Sequence, residues 1–549
     1  MDDDNTNDDN TNVGSTDVGS TGVDSTNDSS EELPRVVRRR RGSQAAQPPT
    51  DGATQPLDGV GRVPPAASTV KASRKRSRAL GAVALICLLL GAAALAVAWV
   101  QGRAHPTSPQ ETAATTGPAT PVLSARRVPA FTTAPIPLKA LAAAVQPVAD
   151  ASPPGTCITV GDGTHSMFAH NPVTPLVPAS NQKLLTGAAV LDTLGSDTTL
   201  VTDFRAPAAP IDGVIDGDLF MVGGGDPLLG TDGYRSRQTQ GVPPETDLEA
   251  VADQLVADGL REVRGSVVGD GSRYDTARTV QGWPQRWLTN GTVGPLSALS
   301  VNDSWSIDPV TGQGPGGAAG DPDQQAAAVM TRLLTDRGVK VGGPPISGTT
   351  SKGTTSILEV QSLPLSVIVG EMLTFSDNTT ADMLLKELGV RNGGGGTTAE
   401  GSAVVADWLA SKGYDTEGWV MADGSGLSSD NRVTCNLLGA ALRDQGPDGD
   451  LAAGLAVPGG NGTLTDRFES GEWPQRVRAK TGTLNNVSSL SGWLLTRKEV
   501  PLDFEIVINT GDRGVNNADL GLQAQLLTAL LDQPVAAPLD AAGPLAPTP

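Results

Sequence analysis

Histidine is nearly absent: His105, His165 and His170 are all that 549 residues contain. No H-E-x-x-H pair and no cysteine–histidine cluster occurs, so a metal hydrolase is not expected and no cofactor is called for. No serine stands in a G-x-S-x-G elbow, which with so few histidines argues against a histidine-based serine hydrolase. Cysteine is equally scarce, with Cys87, Cys157 and Cys435. Aromatics make up 3% of the chain, while glycine (66) and proline (41) are abundant, a balance that suits loops and unstructured ends as much as core. The length is too great for a single core, so two or more folded domains are expected.

Residues 1–34 carry no basic residue and almost nothing apolar, so they are expected to be disordered. From Arg35 the sign reverses, through Arg38–Arg41 to the cluster Lys71, Arg74, Lys75, Arg76 and Arg78. The net charge of −20 argues against a nucleic-acid partner. Residues 79–100 contain no charge at all. At about 1.5 Å per residue they can cross a bilayer core of roughly 30 Å. Ala96-Val97-Ala98 looks like a signal cleavage site, but a leader that extends to residue 78 is far longer than a signal n-region, so an uncleaved anchor is the reading. The basic cluster puts 1–78 in the cytoplasm and the rest outside a cell membrane crossed once. Residues 101–140 read as a Pro/Thr/Ala-rich stalk, and 533–549 as a disordered tail.

Within the folded part, Pro178-Ala179-Ser180-Asn181-Gln182-Lys183 reads as the first turn of a helix, continued by Leu184, Leu185, Ala188, Leu191 and Leu194. Three residues apart, Ser180 and Lys183 share a face, which sets a nucleophile beside a base if the amine is neutral. One S-x-x-K is weak, and an N-capped helix with a solvated lysine is its bland alternative. Ser376-Asp377-Asn378 and Lys480-Thr481-Gly482-Thr483 follow in order, the set shared by penicillin-binding proteins and class A β-lactamases. Strands are expected over 157–160, 167–169, 218–222, 476–484, 489–496 and 503–509, and helices over 248–260, 365–375, 379–388 and 517–531. Gly223-Gly224-Gly225 lacks the G-K-[ST] ending of a phosphate loop and reads as a turn.

Further stretches sharpen the resemblance: Gly217–Pro227, Val268-Gly269-Asp270, Pro295–Asn302 and Asp423–Ser428. With the three motifs, residues 140–532 resemble the D-alanyl-D-alanine carboxypeptidase/endopeptidase family, the class C low-molecular-mass penicillin-binding proteins (peptidase family S13). The resemblance implies an α/β (α+β) serine penicillin-binding/β-lactamase-like transpeptidase fold, an antiparallel sheet flanked by helices. It implies a catalytic domain of 141–200 plus 353–532 interrupted by a mostly β insert, 201–352. It also implies a serine-type carboxypeptidase, with endopeptidase action on cross-links as a second reaction. Peptidoglycan stem peptides would be the substrates and β-lactams covalent inhibitors.

By the same resemblance Ser180 attacks the carbonyl between two D-alanines and Lys183 takes its proton. Lys480 lies beside Ser376 and is the second cation that keeps Lys183 deprotonated. Ser376 relays a proton to the leaving amine, Asn378 holds the substrate amide, and Asp377 is structural. Gly482 lets an edge strand approach the serine closely, and alternation puts Thr481 and Thr483 on one face for the substrate carboxylate. The N–H groups of Ser180 and Thr483 form the oxyanion hole. Cys157 and Cys435 are both external and the resemblance brings them into one domain, which leaves a disulfide and two simply buried thiols both open. A β-lactamase shares the motifs but has a shorter first gap and a deacylating glutamate, and neither Glu400 nor Glu417 sits in a marked loop. A non-catalytic peptidoglycan-binding protein on the same fold is the other alternative, and the intact catalytic set argues against it.

The charge step across 79–100 gives a direct test of topology. A reporter fused after residue 110 is expected to be active only outside the cytoplasm; activity confined to the cytoplasm contradicts the anchor.

Overall fold

The computed structural model describes residues 135–533 apart from residue 315. The expected cytoplasmic tail, membrane anchor and most of the stalk lie outside these residues, as does the tail from 534. Among the described residues no helix is long and apolar enough to cross a membrane. Helix α1 (Pro135–Ala151) begins inside the range read as stalk, so the folded part starts earlier than expected.

After α1 come the hairpin strands β1 (Gly155–Gly161) and β2 (Ser166–His170), a 3-10 turn at Ala179–Asn181 and helix α2 (Gln182–Leu194). Next are β3 (Val201–Ala206), β4 (Leu219–Val222), α3 (Leu248–Ala257), β5 (Val267–Asp270), α4 (Pro322–Asp336), β6 (Ile346–Ser347) and β7 (Thr355–Gln361). Four helices follow: α5 (Leu365–Phe375), α6 (Asn378–Arg391), α7 (Thr398–Ser411) and α8 (Cys435–Gln445). Strands β8 (Val477–Leu484), β9 (Val487–Leu495) and β10 (Pro501–Asn509) precede helix α9 (Asn517–Leu530).

The main sheet has the order β8-β9-β10-β1-β2, antiparallel throughout. Its first hairpin thus closes on its last strand, with Thr156 opposite Ile508. Alternation divides the two faces. Ile158, Val160, Phe504, Ile506 and Ile508 pack with α1 and α9, while Cys157 and Val507 join the core built by α2 and α5 to α8. Leu184, Leu185, Ala188 and Leu191 of α2 lie in that second core. Each buried leucine contributes roughly 1.5–3 kcal/mol, so the helix that carries Lys183 is anchored by its own apolar stripe.

The intervening segment has its own sheet, β6-β5-β4-β3-β7. Its β6–β5 and β5–β4 pairs are parallel, while β4–β3 and β3–β7 are antiparallel. The expectation of a mostly β insert gives way to a mixed one. Helices α3 and α4 bury Leu248, Val251, Leu255, Met330 and Leu333 against the strands, and parallel pairing requires such crossovers. Residues 355–361, read as catalytic domain, pair with β3, with Gln361 opposite Val201. The chain therefore enters and leaves this region through adjacent strands.

Cys157 and Cys435 form a disulfide between β1 and α8, 278 residues apart in sequence. Closing so long a loop in the unfolded chain stabilises the fold by about 2–4 kcal/mol. Cys157→Ser and Cys435→Ser are each expected to lose that amount in urea unfolding, and the double variant little more. Peptide mapping that finds two free thiols contradicts the bond.

Candidate active site

Ser180 stands in a strained turn. Ala179, just before it, has a φ of 49°, in the left-handed region that a side chain disfavours. The sheet holds the turn in place. Ser489 Oγ on β9 donates to Pro178 O at 2.8 Å, and Asn181 Nδ2 donates to Ser491 Oγ at 2.7 Å. Asn509 on β10 bonds both the N–H and the C=O of Val177 at 2.9 Å. The helix proper begins at Gln182, so Ser180 lies in a 3-10 turn ahead of α2 rather than in its first turn.

Lys183 is fully buried beneath this turn. Its Nζ donates to Ser180 Oγ at 3.2 Å, Asn378 Oδ1 at 2.7 Å and the carbonyl of Ser425 at 2.7 Å. Burial pushes this amine down to about 8, with the carboxyls of Asp382, Asp377, Asp423 and Glu371 pulling the other way. Lys480 is also fully buried. Burial first, and the charge of Lys183 second, hold its amine well below the usual lysine range. Lys480 Nζ donates to Thr481 O at 2.9 Å rather than to Ser376. Desolvation, more than a neighbouring cation, is thus what lowers Lys183.

Ser376 ends α5 with a φ of 63°, and Asp377 caps α6 by accepting from Thr380 N at 2.8 Å. Asn378 faces Lys183 with its oxygen and donates through Nδ2 to Thr292 O at 2.7 Å. A second loop completes the surroundings of the amine. Asp423 accepts from Gly426 N, Ser428 N and Asn431 Nδ2 at 2.6–2.8 Å, which curls the loop so that Ser425 O points at Lys183. Thr186 Oγ1 pins the same loop to α2 through Gly424 O at 2.7 Å. Asp382 accepts from Gly424 N at 2.7 Å, and burial pushes its carboxyl up to about 8.

Strand β8 carries Lys480–Thr483 at the edge of the main sheet. A Cβ on Gly482 would stand 2.2 Å from Ser489 Oγ and 3.0 Å from both Ser180 N and Pro178 O. No side chain fits there, and the strand lies against Ser180 for that reason. Ser180, Ser376, Asn378, Thr481, Gly482 and Thr483 all line one cleft of about 1010 Å³, with Lys183 and Lys480 buried beneath. Trp287 and Thr292 of the intervening segment form part of the same wall.

Several participants were not legible from motifs. Ser425 and Thr292 act through backbone carbonyls, which leave no residue-type signal. Asp382 lies one helical turn beyond Asn378, and its surroundings are set by the 423–428 loop. Asp423 lies in a stretch that resembles the family, but the resemblance attaches no role to it.

A serine hydroxyl hydrogen-bonded to a buried lysine amine, with a second buried lysine on an edge strand, is an arrangement suited to serine–lysine acyl transfer. The description of the D-Ala-D-Ala carboxypeptidase 3 (S13) family matches residues 139–319 and 314–528. The D-alanyl-D-alanine carboxypeptidase of an Actinomadura species is 30% identical over 417 residues, 62% of this chain and 74% of that protein. The crystal structure of penicillin binding protein 4 (dacB) from Haemophilus influenzae superposes with a TM-score of 0.59 at 20% identity, covering 71% of this chain and 98% of that one. The same protein complexed with a β-lactam superposes at 0.51, also at 20% identity, over 70% and 97%. The chain belongs to the S13 family of D-Ala-D-Ala carboxypeptidases, and its mixed α/β fold is that of the penicillin-binding proteins.

Two outcomes follow from this geometry. Gly482→Ala is expected to fold but to slow acylation by about 10²-fold, because a shift of roughly 1 Å at the reacting atoms costs that much. If Lys183 acts as the base, its neutral form is required, so the acylation rate should fall as pH drops below about 8. A flat profile from acid to neutral pH contradicts that role.

Proposed function

We propose that this carboxypeptidase works by an acyl-enzyme on Ser180, and the observation that carries the reading is the buried Lys183 amine 3.2 Å from Ser180 Oγ. Ser180 Oγ attacks the carbonyl between the two terminal D-alanines while Lys183 takes its proton. The backbone N–H groups of Ser180 and Thr483 hold the oxyanion; losing such a donor typically costs about 10²–10³ in rate. The C–N bond then breaks, and Ser376 passes a proton to the departing amine. Asn378 holds the substrate amide. Lys480, Thr481 and Thr483 take the terminal carboxylate, whose charge restores to Lys480 the proton that burial disfavours. Water then cleaves the ester and regenerates the hydroxyl.

The substrates on this reading are peptidoglycan stem peptides, with cross-linked peptides cut in an endopeptidase mode by the same chemistry. β-Lactams acylate the same serine, because their ring amide and carboxylate imitate the acyl-D-alanyl-D-alanine end. No carboxylate is among the residues lining the cleft, while Glu400 serves the capping box of α7 at Thr397. A deacylating glutamate of the β-lactamase kind is not provided there, so the penicilloyl ester should be long-lived. The charge asymmetry around 79–100 supports a single anchor with the catalytic part outside the cell membrane. No nucleic-acid role is assigned.

Intact-mass analysis after penicillin treatment is expected to show one adduct of the whole drug, on the peptide that contains Ser180. Ser180→Ala should show none, and Lys183→Ala should acylate about 10²–10⁴-fold more slowly. An adduct that persists in Ser180→Ala, or that maps to Ser376 or Ser425, overturns the assignment.

A further inference from the structure

The intervening segment reaches the site through a turn that contains no glycine. Asn302, Asp303 and Ser304 have φ values of 57°, 53° and 56°, three successive residues in the left-handed region. Side chains disfavour that conformation, and it persists only where the surroundings enforce it. Thr231 N donates to Asn302 Oδ1, Asn302 Nδ2 donates to Thr231 Oγ1, both at 3.0 Å, and the hydroxyls of Ser300 and Ser304 pair at 2.9 Å. Gly294 packs against this turn, where a Cβ would lie 1.9 Å from Asp303 O, and its N–H donates to Thr379 Oγ1 at 3.0 Å.

The enforced turn carries Asp303 to the Ser376–Asn378 motif. Its carboxyl is hydrogen-bonded to that of Asp377 and accepts from the Tyr234 hydroxyl. Asp303, Asp377, Tyr234 and Glu371 line a cavity of about 520 Å³ that borders the catalytic cleft at Thr292, Ser376 and Asn378. Two carboxyls can hydrogen-bond only when one of them carries a proton.

We propose that Asp303 is a positioning residue for the Ser376–Asn378 wall, its carboxyl hydrogen-bonded to Asp377 so as to fix the turn on which Ser376 and Asn378 stand. The inference rests on the Ser180–Lys183 reaction described above. Asp377 sits between Ser376, whose φ is 63°, and Asn378, whose Oδ1 accepts a hydrogen bond from Lys183 Nζ at 2.7 Å. If the shared proton is lost, two carboxylates are forced together, and the only relief is to move that turn. The charged and titratable groups that face the pair are Tyr234, Glu371 of α5, Lys183 of α2 and, on the cavity rim, Arg237. Burial and the Asp377 charge hold Asp303 well above the usual carboxylate range, and the Tyr234 hydrogen bond opposes them. The pair therefore keeps its shared proton to higher pH than an ordinary carboxyl would and loses it as pH rises.

The test is the acylation rate with penicillin as pH is raised, with thermal melting as a control for folding. The native protein should lose rate as the pair gives up its shared proton. Asp303→Asn donates to Asp377 at every pH, and asparagine tolerates the left-handed region, so it should keep the native maximum rate and lose the fall at rising pH. Tyr234→Phe should move that fall to higher pH, since the hydroxyl stabilises the ionised form. Asp303→Ala should acylate about 10- to 100-fold more slowly while binding the drug about as well. The proposal is overturned if Asp303→Ala matches the native rate, or if Asp303→Asn keeps the native fall as pH rises. Should the alanine variant not fold, the other two profiles decide. A native protein that forms no adduct at all overturns the Ser180 reading instead, which separates the two failures.

Discussion

The amine of Lys183 is buried and yet satisfied, and the rest of the site is arranged around that fact. An uncompensated ammonium in an apolar interior is very costly, so its hydrogen bonds must be supplied by whatever surrounds it. Here they come from Ser180 Oγ, from Asn378 on α6 and from the carbonyl of Ser425. These acceptors belong to three separate stretches of chain, and the amine holds them in one geometry. The same burial that demands the acceptors lowers the amine to about 8, which makes it serviceable as a base near neutrality. Folding and reactivity therefore share one cause, the exclusion of water.

Ser180 depends on the sheet for its placement. A strained turn would relax if it were left to itself, and side chains of β9 and β10 tie its backbone down at Pro178 and Val177 and hold the Asn181 side chain. The edge strand β8 comes close because Gly482 presents no side chain. Edge strands generally carry an aggregation risk. In this protein part of that edge, Thr481 to Leu484, lines the cleft, and Ala479 is bridged to Ala456.

The intervening segment belongs to the site as well as to the fold. Thr292 O fixes Asn378, Asp303 meets Asp377, and Trp283 Nε1 donates to Asp423 Oδ2 at 2.9 Å. Asp423 shapes the loop that offers Ser425 O to Lys183, so a residue far from the amine acts on it through two hydrogen-bonded steps. A boundary drawn at 352 would cut through the sheet that β7 completes, and removal of 201–352 would strip a wall from the cleft.

The sequence by itself determined part of the elements and the candidate side chains. Alternation marked β1, β2 and β8 to β10, helical spacing marked α2 and α5, and S-x-x-K, S-x-N and K-T-G-T named the side chains that line or underlie the cleft. These are local patterns, and periodicity expresses them directly. Tertiary structure decided the rest. That β1 pairs with β10, that α3 and α4 turn the insert into a mixed layer, and that Cys157 meets Cys435 are matters of non-local packing. Lys480 turns to its own strand's carbonyl and not to Ser376, a choice made by the shape of the buried space. Ser425 and Thr292 contribute carbonyl oxygens that every residue type possesses, so no motif can record them. The lowered amine of Lys183 and the carboxyl pair at Asp303 and Asp377 arise from burial and proximity, which exist only once the chain has folded.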